Sequence, residues 1–276
     1  MKPTLPFLKL LAFAAIVLPQ FASALVSDES RTESDQEALQ ELVEKTLGAD
    51  PFPYWNHVGS IGRSTGVYLG NGSVLTAAHV GSGKFRLPDG SSYEVIADSE
   101  KFFTNRDGST ADLCLFKVKY KKTDSIASLP PIPLTTMPPK LGKQILLLGA
   151  GLGGENERAG TFTWNDQYHL RWGVNEIEEI YSAPMPTHDF HSFGFATKFE
   201  RGSLECQATP GDSGGAAFHF NPKAKRWELA GIIVAVDSEF GRAEFGNQTY
   251  IADPALFRRE LVAISGRLTP LVAKRR

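Results

Sequence analysis

The sequence predicts an all-β body that ends in a single helix, and three observations carry this prediction. The chain has 276 residues, of which 42% are hydrophobic and 22% charged, the composition of an ordinary folded protein. Short apolar runs recur along the body, and Gly, Pro, Asn or Asp separates each run from the next. Helical periodicity returns only after Pro254, where one face carries Leu256, Phe257, Leu261 and Ile264.

The apolar runs have the length of strands, and they lie at residues 66–69, 73–75, 113–118, 144–148 and 231–236. The tripeptide Gly70-Asn71-Gly72 between the first two runs predicts a tight turn. A proline-rich stretch at 129–139 is interpreted either as a link between two halves of the body or as a long surface loop.

The charge balance argues against a polyanionic partner. The chain carries 29 Lys and Arg against 31 Asp and Glu, a formal charge of −2. No overall positive field is therefore present to hold a nucleic acid through the release of its counterions. We expect no nucleic-acid partner.

The first 24 residues have the three parts of a signal peptide. Lys2 and Lys9 flank the apolar run 10–18, which is followed by Ala22-Ser23-Ala24. A membrane anchor is the alternative, but a span needs about twenty apolar residues and this run ends well before that. We expect export with cleavage after Ala24, no membrane association after cleavage, and a secreted or periplasmic location.

An acidic segment follows at residues 25–50. From Asp28 to Asp50 it carries eight acidic and two basic side chains, a net charge of −6. Ser34 and Glu37 form a capping box, and Leu39, Leu42, Val43 and Leu47 then recur at helical spacing. This segment is either a pro-segment that is removed or a helix that stays on the body.

The two cysteines leave two interpretations open. Cys114 and Cys206 either form one disulfide in an oxidising compartment or are two buried thiols that act as small apolar side chains.

The strongest chemical motif is Gly211-Asp212-Ser213-Gly214-Gly215. Glycines around a serine let backbone N–H groups approach a ligand closely. The motif also fits the nucleophile elbow of α/β-hydrolases, in which an acid and then a histidine follow the serine. Only His219 follows Ser213, six residues later, so the order of residues argues against the elbow.

The order histidine, aspartate, serine has better candidates. His79 ends Thr76-Ala77-Ala78-His79 after an apolar run, and Asp112 precedes the apolar residues 113–116. Other aspartates between the two motifs lack this strand pattern, and they are Asp89, Asp98 and Asp107. A serine needs a base within hydrogen-bond reach, and the base needs an acid that orients it.

These three motifs in this order resemble those of the trypsin-like, chymotrypsin-fold serine peptidases, specifically the secreted bacterial members. The resemblance spans residues 55–257. It implies two antiparallel six-stranded β-barrels with the site between them, followed by the C-terminal helix. It further implies Ser213 as nucleophile, His79 as general base, Asp112 as the acid that orients it, and the amides of Gly211 and Ser213 as the oxyanion hole.

The predicted organisation is therefore a signal peptide at 1–24, the acidic segment at 25–50, a serine peptidase domain at 51–265 and a basic tail at 266–276. The resemblance implies a polypeptide substrate and no metal or organic cofactor.

By position in the family, the specificity pocket includes Gln207, Val236 and Asp237. With no carboxylate at Gln207, we expect a small or medium apolar substrate side chain, although Asp237 is a carboxylate that a cation could reach.

Several residues depart from the family pattern. Ala216 follows the serine motif where proline is common, and Val234 stands where many members have a serine. A peptidase-fold binding module without useful turnover is therefore the competing hypothesis. No Ile-Val-Gly-Gly sequence precedes Thr76, so we expect an internal donor to satisfy Asp212, and a chain that begins at Pro51 to be active.

Overall fold

The computed structural model describes residues 25–27, 40–41, 44–45 and 51–265, apart from 138, 159, 186–189, 203–204 and 239–240. The predicted signal peptide and basic tail lie outside these residues. Of the predicted N-terminal helix, Gln40, Glu41, Glu44 and Lys45 are described and are helical. The capping box and the apolar residues of that helix lie outside the described part.

The first half of the body is an antiparallel sheet of seven strands in the order β6-β5-β2-β3-β4-β8-β7. Strands β3 and β4 are joined by Asn71 and Gly72, whose φ angles are +50° and +74°. Two positive φ angles in a two-residue loop match the twist of a hairpin, which accounts for the predicted turn. The strands are β2 (Val58–Ile61), β3 (Ser64–Gly70), β4 (Ser73–Thr76), β5 (Phe85–Arg86), β6 (Ser92–Tyr93), β7 (Lys101–Thr104) and β8 (Thr110–Lys117).

The second half is a closed barrel of six strands in the order β12-β13-β18-β16-β15-β9. The predicted all-β double-barrel class with a C-terminal helix is confirmed, although the first half has seven strands instead of six. The barrel strands are β9 (Gln144–Gly149), β12 (Arg171–Ile180), β13 (Gly194–Lys198), β15 (Ala216–Asn221), β16 (Arg226–Val236) and β18 (Gln248–Ala252).

Two small sheets lie outside the barrel. One contains β1 (Val26–Ser27) and β14 (Cys206–Gln207), which pair antiparallel. The other is formed by β10 (Leu152–Arg158), β11 (Thr161–Tyr168) and β17 (Arg242–Glu244). The first of these brings the start of the described chain beside the segment that leads to Ser213.

The two halves share one hydrophobic core. Leu69 and Leu113 from the first half belong to the same buried cluster as Leu148 and Ile232 from the barrel. Because the apolar faces of both halves are buried against each other, their facing loops are held in a defined relation.

The proline-rich stretch joins the halves by hydrogen bonds. Ile132 donates its amide to the carbonyl of Leu69 on β3 at 3.4 Å, and Thr135 donates to the carbonyl of Leu229 on β16 at 3.0 Å. Ile132 is buried, and Leu134 forms a parallel bridge with Leu229. The stretch is therefore the predicted link between halves and not a loose surface loop.

The C-terminal helix differs from its prediction at one residue. Its first turn, Pro254–Phe257, is a 3-10 turn, and the α-helix runs from Arg258 to Ser265. The 3-10 geometry places three residues in each turn, which moves Leu256 off the buried face. Leu256 is 56% exposed, whereas Phe257 and Leu261 are buried.

Both cysteines are buried free thiols. The Cys206 thiol donates to the side-chain oxygen of Asn175 at 2.9 Å. Burial raises the pKa of the Cys114 thiol to about 12. The interpretation as small buried side chains is therefore correct, and the disulfide is not formed.

No helix within the described residues is long and apolar enough to cross a membrane.

Candidate active site

His79 lies just past the end of β4, where the chain leaves the first sheet. Ala77 and Ala78, which precede it, are buried, and the Ala77 carbonyl accepts hydrogen bonds from the amides of Val80 and Gly81. This turn directs the imidazole outward, and 39% of the side chain is exposed. A histidine in this position is anchored by its backbone and open to a ligand on its ring.

Asp112 holds His79 through both of its carboxylate oxygens. Its Oδ2 lies 2.7 Å from the Nδ1 of His79, and its Oδ1 accepts the backbone amide of His79 at 2.9 Å. The Asp112 side chain is only 3% exposed, so little water competes for these contacts. With Nδ1 engaged by the carboxylate, Nε2 is the nitrogen left to accept a proton.

The other aspartates considered from the sequence serve local turns. Asp89 accepts the amide and hydroxyl of Ser91, and Asp107 accepts the same two groups of Ser109. Asp98 adopts a φ of +57° in a turn. The structure therefore pairs His79 with Asp112.

Ser192 supports Asp112 and was not identified from the sequence. Its buried Oγ accepts the backbone amide of Asp112 at 2.8 Å. Ser192 lies before β13, far from the three motifs, and no pattern around it distinguishes it from other loop serines. Val234, which departs from the serine of the family pattern, is buried and apolar.

Strand β3 anchors the loop that carries Ser213. Thr65 donates its amide to the Ser213 carbonyl at 2.9 Å and its hydroxyl to the Gly211 carbonyl at 2.8 Å. The next residue, Gly214, packs so closely that a Cβ there would lie 2.1 Å from the Oγ1 of Thr76. Thr76 ends β4 three residues before His79, so the serine loop is packed against the strand that delivers the histidine.

Replacing Gly214 by alanine is expected to damage both stability and activity. Gly214 has a φ of +86°, and its Cβ would lie 1.9 Å from the Thr65 carbonyl oxygen. Backbone strain and overpacking together predict a loss of about 3 kcal/mol or more in the free energy of unfolding.

Gly90→Ala is the matched control, because Gly90 has a φ of +84° but no atom within 4 Å of its Cβ position. It is expected to show only the backbone cost, about 1 kcal/mol. Urea unfolding of both variants measures the difference. Equal losses would show that the close approach of Gly214 to Thr65 does not matter.

The oxyanion hole predicted at Gly211 and Ser213 lies in the same loop. Gly211 has a φ of +97°, a conformation that favours glycine. Among the hydrogen bonds of the described residues, none uses the amide of Gly211 or of Ser213 as donor. Two such amides in one turn are available for an oxygen that develops negative charge.

Asp212, between these two residues, points into the protein. Its Oδ1 accepts the amide of Gly151 at 2.8 Å, and its Oδ2 accepts the amide of Thr209 at 2.8 Å and the Thr209 hydroxyl at 3.0 Å. Gly149 gives the carboxylate space, since a Cβ there would lie 2.1 Å from Oδ1. Burial raises the pKa of Asp212 to about 6, against the opposing effect of these donors.

The three residues predicted to form the specificity pocket lie close together. Gln207 is fully buried, and its Nε2 donates to the Asp237 carbonyl at 2.7 Å. The Asp237 carboxylate accepts the Gln248 amide at 3.1 Å and the Tyr250 hydroxyl at 2.9 Å. Val236 lies beside them, half-buried. Because donors of the protein occupy both oxygens of Asp237, its availability to a substrate cation is reduced.

No group of three or more His, Cys, Asp or Glu side chains within the described part of the chain is arranged to hold a metal ion.

Comparison with known proteins places these features in one family. The model of the trypsin-like peptidase domain matches residues 64–232, more than half of the chain. A search of curated proteins found no match. Among solved structures, the inactive form of Rv3671c from M. tuberculosis, a serine-to-alanine mutant, matches with a TM-score of 0.48 and 14% identity. That match covers 89% of this chain and 98% of the other.

Proposed function

Because the chain belongs to the trypsin-like peptidase domain family, we propose that it is an exported serine endopeptidase that forms an acyl-enzyme on Ser213. The observation that carries this proposal is the double contact between His79 and Asp112, at 2.7 and 2.9 Å. The buried carboxylate of Asp112 contacts both the ring and the backbone of His79. These two contacts support the role of His79 as a general base, because they keep its ring in one orientation.

In the proposed reaction, the Nε2 of His79 takes the proton of the Ser213 hydroxyl as its Oγ attacks the substrate carbonyl. The negative charge that develops on the carbonyl oxygen is stabilised by the amides of Gly211 and Ser213. His79 then gives its proton to the leaving amine, and the C–N bond breaks. Water, deprotonated by His79, releases the acyl group and restores Ser213.

The substrate is a polypeptide with a small or medium uncharged side chain before the bond that is cut. The absence of a carboxylate at Gln207 and the occupied carboxylate of Asp237 support this preference. The secreted or periplasmic location is supported by the three-part pattern of residues 1–24.

A binding module of the same fold is the second candidate. Val234 favours the binding module, because its apolar side chain stands where many family members have a serine hydroxyl behind the catalytic aspartate. The contact of Ser192 with the Asp112 amide weighs against it, since this serine also braces the aspartate.

Fluorophosphonate labelling separates the two candidates. We expect an active-site probe to label the native protein once per chain, because only an activated serine attacks it at a useful rate. Ser213→Ala should abolish labelling, and Ser128→Ala, in an exposed helix, should leave it unchanged. EDTA should also leave it unchanged.

Mass spectrometry of the labelled peptide identifies the serine that reacts. A correctly folded protein that is not labelled would favour the binding module. Labelling that EDTA removes and a divalent ion restores would contradict the metal-free mechanism.

A further inference from the structure

A cleft of about 550 Å³ opens beside the loop that carries Ser213. Ala150 forms part of its wall, and the Ala150 amide donates to the Thr65 hydroxyl oxygen at 3.0 Å. Thr65 in turn donates its amide to the Ser213 carbonyl and its hydroxyl to the Gly211 carbonyl. Thr65 therefore connects the wall of the cleft to both residues of the predicted oxyanion hole.

The register of the first sheet places Arg86 in line with Thr65. Ser60 on β2 is the cross-strand partner of Thr65 on β3 and also of Arg86 on β5. Directly opposed residues of antiparallel strands have their side chains on the same face of the sheet. Ser60 and Arg86 therefore project from the face on which Thr65 reaches the serine loop, and both line the cleft.

Burial decreases along this row of three residues, from the serine loop outward. Thr65 is fully buried, Ser60 is half-buried and Arg86 is exposed. Adjacent strands lie about 4.8 Å apart, so two steps place the Arg86 backbone about 10 Å from that of Thr65. An extended peptide advances about 3.3 Å per residue, so a chain that leaves Ser213 along the row reaches Arg86 after about three residues.

The cleft carries positive charge. Lys84, Arg86 and His169 line it, and none of its described lining residues is Asp or Glu. Lys84 forms an ion pair with Glu94 at 2.8 Å, in which both side chains are more than half exposed. No ion pair between described side chains involves Arg86. Because a guanidinium group matches the geometry of a carboxylate, Arg86 is the cation of the cleft that is available to bind one.

The cleft is separate from the predicted specificity pocket. None of the pocket residues Gln207, Val236 and Asp237 lines the cleft. The specificity pocket receives the side chain before the bond that is cut. The part of the polypeptide after that bond leaves by another path, and the row from Thr65 to Arg86 begins at the serine loop and leads to solvent.

We propose that Arg86 gives this protein a preference for substrates with an acidic side chain two to four residues after the bond that is cut. The carboxylate of that residue accepts hydrogen bonds from the Arg86 guanidinium group. The inference rests on the proposed function. It adds a determinant after the cut bond to the small or medium uncharged side chain proposed before it.

The test uses the native protein and peptides that share one sequence before the bond. Each peptide carries Glu, Gln or Lys at one of the first four positions after the bond. We expect Glu to raise kcat/KM about 5-fold over Gln at one of positions two to four, the size of effect of a charge pair at an exposed site. Lys should be cleaved less well than Gln. The preference should shrink as the salt concentration is raised.

Charge reversal at Arg86 separates substrate binding from a merely structural role. Arg86→Glu should reverse the preference, so that Lys is cleaved about 5-fold better than Glu at the same position. Arg86→Lys should keep the preference for Glu. Lys140→Glu is the matched control, because it makes the same change in charge at an exposed residue outside the cleft. A structural role would lower the cleavage of every peptide alike and would reverse nothing.

Fluorophosphonate labelling separates this inference from the proposed function, because the probe carries no peptide after the reactive atom. Native labelling of Arg86→Glu with an unchanged preference overturns the inference and leaves the peptidase proposal standing. So does a native protein that shows no preference for Glu at positions two to four.

Failure of the native protein to be labelled contradicts the peptidase proposal and the inference with it. If Arg86→Glu does not fold, Arg86→Gln provides the second test. It should cleave the Glu and Gln peptides equally well, and a preference for Glu that persists in this variant overturns the inference.

Discussion

Ser213→Ala and His79→Ala are each expected to lower the peptidase kcat by about 10⁴- to 10⁶-fold without unfolding the protein. The reason is that the nucleophile and its base act as one unit, so that removing either stops the transfer of the serine proton. The double variant should therefore be little worse than either single variant. Turnover of a peptide substrate, together with the thermal unfolding midpoint of each variant, measures this.

His219→Ala is the control for the histidine. His219 follows Ser213 by six residues, but its Nε2 lies 3.5 Å from Glu228 on β16, away from the pair of His79 and Asp112. Its removal should leave kcat unchanged. Independent losses that multiply in the Ser213 and His79 double variant would show that these two residues do not form a catalytic unit.

Asp112→Asn is expected to lower kcat by about 10⁴-fold with little change in KM. The amide of asparagine can offer a hydrogen to Nδ1, and that arrangement moves the ring proton to Nε2, where the lone pair is needed. Because the buried side chain keeps its size, the protein should remain folded. Steady-state kinetics with a peptide substrate separates the two parameters.

Asp107→Asn is the matched control for Asp112, since it makes the same exchange five residues earlier in an exposed turn. Asp107 contacts Ser109 and not His79, so the kcat of the Asp107→Asn variant should equal that of the native protein. If Asp112→Asn retained more than a tenth of the native kcat, the carboxylate would not be setting the ring proton of His79.

The residues of the candidate site could be identified from the sequence because they belong to short contiguous motifs. Gly211 to Gly215 form one turn, and His79 and Asp112 each adjoin an apolar strand, so local sequence identifies them. Ser192 could not be found this way, because its importance comes from a single contact with a backbone amide that only the fold creates.

The burial of Leu25 and Val26 could not be predicted, for a different physical reason. The change in charge at Pro51 reflects only the local composition of the chain. The first strand, β1, contains only Val26 and Ser27. Two residues are too short to show a period, and their burial depends on β14, about 180 residues away. Leu256 was misplaced on a smaller scale, because the pattern assumed an α-helix where a 3-10 turn forms.

The proline-rich link between Leu69 and Leu229 bears on how the molecule responds to heat and denaturant. Since it is hydrogen-bonded to a strand of each half, and since both halves contribute to one apolar cluster, neither half can open without exposing the other. Melting of either half would expose the inner face of its neighbour. The two halves consequently form a single cooperative unit, and loss of structure in one is coupled to the loss of the candidate site, to which both halves contribute residues.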